Sequence, residues 1–408
     1  MAAIVFPRTE ALLDRVLGGR FVVQVVALYA VTRVLTGVML AVVSGSQAPS
    51  AMTDNQTVGY WGFTTLWDGQ WYARIASDGY PDTLPRDTSG QVMQNAWAFY
   101  PLFPMLSRAV MAVTGLPFAV VGSTLALLFG FGAAVLLAQL MRESIGRVGA
   151  LLVLSLYAVF PSSPVLQVAY TESLAMLLIC GYLLVLRRER WLVATALAVL
   201  VGVSRPIAVP LAIVSAVALW LRWRRRATEP VARGERFRML AALAGCVVAG
   251  LLWPALVWMG TGEPGGYVAT MGAWSATGEV RFVQPWLDTP RWYLGEWGPW
   301  LVLAVVVGIV AGMAGPWAVR LGPVVRVWPV AYAAYSMAVQ GPGTSTPRYL
   351  LPMFPYLAVL LGLASRGQRP RWVPTGIRWL WLAPVFLWWQ WEWIAALWHF
   401  TPPSDWAP

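Results

Sequence analysis

The stretch YTESLAMLLICGYLLVLRRER, residues 170 to 190, decides the fold class. It is an apolar run with Glu172 near one end and an arginine-rich run at 187 to 190. A helix that crosses a bilayer needs about 20 mostly apolar residues, and arginines gather in the connections on the cytoplasmic side. The stretch therefore predicts a membrane-spanning helix with its arginine-rich end inside and its Glu172 end outside.

The composition extends this prediction to the whole chain. Of the 408 residues, 58% are hydrophobic and 12% are charged, which leaves too few polar residues for a soluble surface along most helices. All 29 basic residues are arginines, and they lie in short runs between apolar stretches. Membrane topology explains the net charge of +11 better than a nucleic-acid partner does, so none is expected. The composition is also typical of a GC-rich genome, which favours a bacterial plasma membrane over the endoplasmic reticulum of a eukaryote.

Hydropathy along the chain predicts about eleven spanning helices in a single polytopic domain, residues 1 to 408. The predicted spans are 21–43, 117–141, 148–165, 170–186, 191–203, 206–221, 239–260, 299–318, 322–340, 349–365 and 379–399. With the N-terminus in the cytoplasm, the inner connections hold most of the arginines and a minority of the acidic residues. We therefore expect an all-α, multi-pass protein of the cell membrane.

Three connections of this topology bear on function. Segment 191 to 221 is too short for two upright crossings, yet arginines flank both of its ends. It should therefore rise and return, with the SRP sequence of residues 204 to 206 at its apex in or near the outer leaflet. Two long connections, 44 to 116 and 261 to 298, should lie outside and fold onto the membrane face, because both are rich in Trp, Tyr and Gly.

The first outer loop contains WDGQWYARIASDGYP at residues 67 to 81. A helical period of 100° per residue separates its side chains into two arcs. The apolar arc holds Trp67, Trp71, Tyr72, Ile75 and Ala76, and the polar arc holds Gln70, Arg74, Ser77 and Asp78. Such a helix should lie on the membrane surface. Asp68 falls inside the apolar arc, where a carboxylate is costly unless it has a function. Alternatively, Asp68 caps a helix that starts at Gly69.

Three further charged residues stand at predicted outer boundaries of spans. Glu172 begins a span, where it either faces an outer cavity with Asp68 or simply favours the positive end of the helix. Arg205 lies at the apex of the short hairpin, and Arg348 lies before the span that starts at residue 349. Both arginines could bind an anionic ligand or extend to lipid phosphates.

These motifs resemble those of the PIG-V mannosyltransferases, a family in the multi-spanning GT-C class that takes sugars from polyprenyl-phosphate donors. The resemblance covers about the first half of the chain. It lies in WD at 67–68 with IA at 75–76 and GY at 79–80, in AFYP at 98–101 with Pro104, in YTES at 170–173 and in SRP at 204–206.

The resemblance implies an inverting glycosyltransferase that moves a mannosyl residue from a polyprenyl-phosphate donor to a lipid or glycolipid acceptor. It assigns Asp68 as the general base and Glu172 as a second carboxylate. Arg205 and Arg348 would bind the donor phosphate. Aromatic side chains would contact the sugar or the acceptor, or anchor the loop at the interface. They are Trp67, Trp71, Tyr72, Tyr100 and Tyr170.

Neither a cofactor nor a resident metal is expected. The only histidine, His399, ends the last predicted span, and Cys180 and Cys246 lie inside apolar stretches. Acidic residues of the first outer loop leave a divalent ion open as an alternative. A transporter or flippase of lipid-linked sugars is the alternative function, because buried charges at broken helices also mark transport sites.

Overall fold

The computed structural model describes residues 19–275, 277–366, 373–402 and 407–408. Within these residues it has sixteen α-helices and no β-strand beyond one isolated bridge between Arg86 and Val92. The helices are α1 (Phe21–Ser44), α2 (Tyr60–Phe63), α3 (Asp68–Asp78), α4 (Leu102–Thr114), α5 (Phe118–Ala158), α6 (Glu172–Arg187), α7 (Trp191–Gly202), α8 (Val209–Arg224), α9 (Arg233–Thr261), α10 (Gly266–Ala273), α11 (Pro285–Leu294), α12 (Trp297–Ala314), α13 (Gly322–Val339), α14 (Thr346–Tyr349), α15 (Pro355–Leu360) and α16 (Thr375–Trp393). The all-helical class is as predicted.

Four of these helices, α1, α5, α9 and α12, are long and apolar enough to cross a membrane by length and composition. The count of about eleven spans stays a prediction, because the other predicted spans fall in shorter helices. The predicted spans 117–141 and 148–165 both lie in α5, whose helical path is interrupted at Gly146 (φ 81°, ψ 175°). Only glycine adopts such a backbone conformation readily. This residue therefore separates two helical segments within α5.

Two predicted span boundaries were wrong. Segment 349–365 is not one helix, since α14, a 3₁₀ turn at Leu351–Met353 and α15 follow one another there. Prolines 347, 352 and 355 explain the breaks, because proline lacks the amide hydrogen that a continuous helix needs. The span 148–165 ends early, at Ala158, and leads into a 3₁₀ turn at Ser163–Leu166.

Helices α7 and α8 follow the predicted rise and return, although each packs on α9 rather than on the other. Glu189, just before α7, forms an ion pair with Arg222 in the last turn of α8, with 3.4 Å between Oε2 and Nε. The beginning of α7 and the end of α8 therefore lie close together. Arg205 lies in the connection between the helices. On its other flank α7 approaches α9 closely: a Cβ on Gly202 would lie 2.4 Å from the carbonyl oxygen of Ala249. Only a glycine fits there.

Helix α6 lies at the centre of the packed helices. Most of its side chains are buried, and it contacts α5 on one side and α7 on the other. Glu172 forms its first residue and Arg187 its last. The arginine-rich connections around 142–147, 187–190 and 222–235 meet at the Arg187 end, as the ion pairs of Glu143 and Glu189 show. They lie at the opposite end of α6 from Glu172, as expected.

The α3 helix has the two arcs that its sequence predicts, but its apolar arc packs on protein rather than on lipid. Tyr72 and Ile75 are buried, while Gln70 and Arg74 are exposed. The ring of Tyr72 contacts Phe103 of α4 edge-on, with 5.5 Å between centroids. The folded loop itself covers this arc, and the position of α3 at the membrane surface stays a prediction. The side chain of Val113 on α4, by contrast, is 88% exposed, so the protein leaves this apolar residue uncovered.

The predicted sides of the membrane remain predictions. The N-terminal segment 1–18, part of the arginine-rich connection at 367–372, and tail residues 403–406 lie outside the described residues.

Candidate active site

Four ionisable side chains from separate segments meet beside the start of α6. The Nη1 of Arg348 lies 2.6 Å from Oδ2 of Asp68 and 3.4 Å from Oε1 of Glu172. The Nη1 of Arg205 lies 2.5 Å from the same Glu172 oxygen. The two carboxylates predicted as catalytic and the two arginines predicted to bind phosphate thus form one connected cluster with no formal net charge.

Asp68 is the first residue of α3, not the residue that precedes it. The capping position belongs to Trp67, whose φ of 60° is unusual for a residue other than glycine. The indole Nε1 of Trp67 donates to the carbonyl oxygen of Trp398 at 2.9 Å, which holds the backbone in place. The only described side chain that bonds the Asp68 carboxylate is Arg348. This arrangement does not match the alternative in which Asp68 caps a helix that starts at Gly69.

Glu172 is the first residue of α6, so the positive end of that helix also favours its charge. Its carboxylate is buried, and Oε1 accepts both arginines. Oε2 is buried without a partner among the described residues. A buried carboxylate oxygen without a donor is costly. The site therefore has an open acceptor position.

Arg348 is held by its own segment and by the 159–171 connection. Its Nη2 donates to Oγ of Ser345 at 3.3 Å, and its guanidinium lies 5.4 Å from the ring centre of Tyr170. The neighbouring carbonyl of Pro347 accepts from Oγ of Ser162 at 2.8 Å. The Nε of Arg348 is buried and has no partner among the described residues. Arg348 thus retains a donor for a ligand.

Both arginines stay charged in this environment. Burial by itself lowers the pKa of Arg348, but the charges of Asp68 and Glu172 outweigh burial and raise this pKa well above its usual value. For Arg205, burial again lowers the pKa, but the electrostatic interactions with Glu172 and Tyr72 together outweigh burial, so the pKa is raised. The cluster can therefore present two fixed positive charges to an anionic group.

A small cavity of about 10 Å³, close to the size that holds one water molecule, lies between these groups. Glu172, Arg205 and Arg348 line it, and its walls include the phenols of Tyr332 and Tyr349. Sequence reasoning missed both tyrosines. Tyr349 adjoins Arg348 and could have been proposed from that position, whereas nothing in the pattern of α13 distinguishes Tyr332.

Not all of the predicted aromatic residues lie at the charged cluster. Tyr170 lies at the charged cluster, where its hydroxyl accepts the backbone N–H of Asp68 at 3.0 Å, and Tyr72 packs 6.3 Å from its ring. Trp71 stacks on Phe99 with 5.6 Å between centroids. Tyr100 lies in a second aromatic cluster, where its hydroxyl is 3.1 Å from that of Tyr267. Tyr72 and Tyr170 therefore lie at the charged cluster, whereas the hydroxyl of Tyr100 pairs with Tyr267 and interacts with Arg205 only electrostatically.

Arg33, in the middle of α1, is a buried charge that the sequence analysis overlooked. Its Nη1 donates to the carbonyl oxygen of Ser163 at 2.8 Å, and its Nη2 donates to that of Ala158, at the end of α5. Among the described residues no carboxylate pairs with it. A cation is favourable at a helix C-terminus, and here it also holds the connection that leads to Glu172. An arginine inside an apolar span is unusual enough to have been noticed.

Among the described residues, no group of three or more His, Cys, Asp and Glu side chains is placed to hold a metal ion. The Asp residues of the first outer loop do not gather around one point in that part of the chain.

The sequence matches no protein-family model and no curated protein. Among solved structures, the chain is similar to the crystal structure of an oligosaccharyltransferase from Archaeoglobus fulgidus in complex with Zn and sulfate, with a TM-score of 0.47 and 12% sequence identity. The similarity covers 92% of this chain and 54% of the archaeal chain. The chain thus spans about half the length of that structure. The resemblance to the PIG-V mannosyltransferases stays a prediction.

Proposed function

We propose that this protein is a membrane glycosyltransferase that moves a mannosyl residue from a polyprenyl-phosphate donor to a lipid or glycolipid acceptor at the outer membrane face. One observation carries the proposal. Two carboxylates and two arginines, each selected separately from the sequence, form a single cluster around a cavity and leave buried polar atoms without partners. A phosphate and a hydroxyl are the groups that such a cluster suits.

The reaction is a displacement at the anomeric carbon. The acceptor hydroxyl oxygen forms a bond to that carbon while the bond from the carbon to the phosphate oxygen breaks, which inverts the configuration. The leaving polyprenyl phosphate keeps the electron pair of the broken bond, and the hydroxyl proton passes to the Asp68 carboxylate. The Glu172 carboxylate orients the acceptor or the base. Arg205 and Arg348 stabilise the charge that develops on the phosphate.

The resting ion pairs suit this sequence of events. Arg348 bonds one oxygen of Asp68, Oδ2, and a donor phosphate would compete for its guanidinium. Once the phosphate accepts from Arg348, the Asp68 carboxylate loses its partner and is free to accept a hydrogen bond from the acceptor hydroxyl. Donor binding would therefore prepare the base, so that proton abstraction takes place only when the donor is in place.

The decisive experiment uses the full chain, purified and reconstituted in lipid vesicles, with polyprenyl phosphate that carries a radiolabelled mannosyl residue. Extracted membrane glycolipids serve as acceptors. We expect label to move into a new lipid product in the wild type and not in Asp68→Asn. If labelled donor instead crosses the bilayer unchanged and no product forms, the chain is a transporter or flippase and the enzymatic proposal is wrong.

A further inference from the structure

A second cavity, of about 230 Å³, lies near the charged cluster and has no charged side chain in its lining. Val305 and Ile309 of α12 form one wall, and Leu357 and Leu360 of α15 form the other. The Oη of Tyr356 donates to the carbonyl oxygen of Gly308 at 2.9 Å, which fixes the two walls relative to each other. The cavity is therefore an apolar groove with defined sides.

The groove adjoins the charged cavity. Leu351 lines both spaces, and Leu350 lines the groove next to it. These leucines follow Arg348 and Tyr349 directly in the chain. One short segment thus presents a guanidinium on one side and leucines on the other. A molecule that fills both spaces must have an anionic head joined to a long apolar chain.

The groove also adjoins the lipid-facing side of the protein. Helix α12 is the least covered of the four membrane-length helices, with 17% of its 18 residues buried. Val305 is 54% exposed, and Leu350 and Leu360 are 43% and 40% exposed. An apolar chain could therefore enter from the bilayer without passing through water.

We propose that this groove binds the isoprenoid chain of a polyprenyl phosphate, with the phosphate at Arg348 and Arg205. The assignment rests on the proposed function, because it takes the donor to be a lipid phosphate. Its walls at Val305, Ile309, Leu357 and Leu360 are apolar, which suits a hydrocarbon chain. Burial of the apolar chain supplies affinity, and the two arginines fix the position of the phosphate.

The kinetic test fills the groove and compares donors of different length. Val305→Trp and Ile309→Trp, one helical turn apart, narrow the groove on the α12 side. Val307→Trp is the matched control, because Val307 is 55% exposed against 54% for Val305 and does not line the groove. Each variant is assayed with a long-chain donor and with a donor shortened to a single isoprene unit.

For the long-chain donor we expect KM to rise about tenfold or more in both groove variants and to stay at the wild-type value in Val307→Trp. For the shortened donor all four proteins should have the same KM. A rise of equal size in Val307→Trp, or an equal rise with the shortened donor, would overturn the assignment.

A binding measurement separates failure of the groove from failure of the enzymatic proposal. Sugar-free polyprenyl phosphate with a photoreactive group near the end of its chain is crosslinked to the wild type, and the labelled peptides are identified by mass spectrometry. We expect label on peptides of α12 and α15, and competition by polyprenyl phosphate but not by phosphatidylglycerol. This result supports the groove even if no sugar transfer is found. Equal competition by phosphatidylglycerol, or label elsewhere, refutes it.

Discussion

Helix α6 has charged clusters at both ends, and they differ in how completely their polar atoms are paired. At the Arg187 end, Arg222 donates from Nε and Nη2 to the two oxygens of Glu235 at 2.6 and 2.9 Å, and from Nη1 to the carbonyl oxygen of Glu229 at 3.0 Å. At the Glu172 end, Oε2 of Glu172 and Nε of Arg348 are buried without partners in the described part of the chain.

This difference shows that burial alone does not identify a site. The side chain of Arg222 is 8% exposed, as is that of Arg348. Only the Arg348 cluster, however, keeps donors and acceptors free for a ligand. Arg188 and Arg225, also at the Arg187 end, are 44% and 47% exposed, and exposed pairs contribute little to stability. We infer that one end of α6 maintains the structure and the other carries the chemistry.

The largest effect should come from Asp68→Asn. The amide oxygen of Asn can still accept from Arg348, so the fold should be kept, but the amide cannot take the proton of the acceptor. We expect kcat to fall by roughly 10² or more, the usual scale of general-base loss. Thermal unfolding in detergent should stay near the wild-type midpoint. A fully active Asn variant would remove Asp68 from the mechanism and make Glu172 the better candidate for the base.

Arg348→Ala should have the next largest effect, on use of the donor. Hydrogen bonds to charged groups are worth about 1.5–3 kcal/mol, which corresponds to a rise of roughly tenfold or more in the KM for the donor. Lys at the same position should rescue only partly, because it lacks the planar fork. The same series at Arg205 should behave alike.

The matched control for these arginine variants is Arg188→Ala, an arginine at the other end of α6. Its donor KM should equal that of the wild type. If Arg348→Ala and Arg205→Ala also keep wild-type kinetics, the two arginines serve lipid phosphates rather than the donor, and the contrast between the ends of α6 disappears.

Arg222→Ala should show the opposite pattern. It leaves the partly buried Glu235 without its partner, which should cost about 3 kcal/mol of unfolding free energy. The unfolding midpoint in detergent should fall, while kcat and the donor KM of the protein that remains folded stay unchanged. A change in donor KM without loss of stability would mean that both ends of α6 contribute to catalysis.

The smallest effect is expected from cysteine substitutions that test which side of the membrane each end of α6 faces. Cysteines introduced at Arg233 and Ser89, which are both exposed, should react with a membrane-impermeant maleimide from opposite sides of intact vesicles. Ser89, in the first long connection, is expected outside. The native Cys180 and Cys246 are buried and should stay unlabelled. Labelling of both introduced cysteines from the same side would overturn the predicted topology.

Local patterns in the sequence determined much of this protein. Hydropathy predicts the helical class, and the helical period predicts which residues of α3 are buried, because both depend on neighbours within a few turns. The arginine runs predict that the Arg187 end of α6 gathers basic connections. Asp68, Glu172, Arg205 and Arg348 could each be selected because a charge at an apolar boundary is costly.

Only the tertiary structure decided how those residues combine. The contact between Arg348 and Asp68 joins positions 280 residues apart, and nothing local specifies it. The same holds for the cover over α3, which comes from α4 rather than from lipid, and for Arg33, whose partners lie at the end of α5. Hydropathy records whether a side chain avoids water, but not whether lipid or protein replaces it. That choice depends on which distant segments pack together when the chain closes on itself.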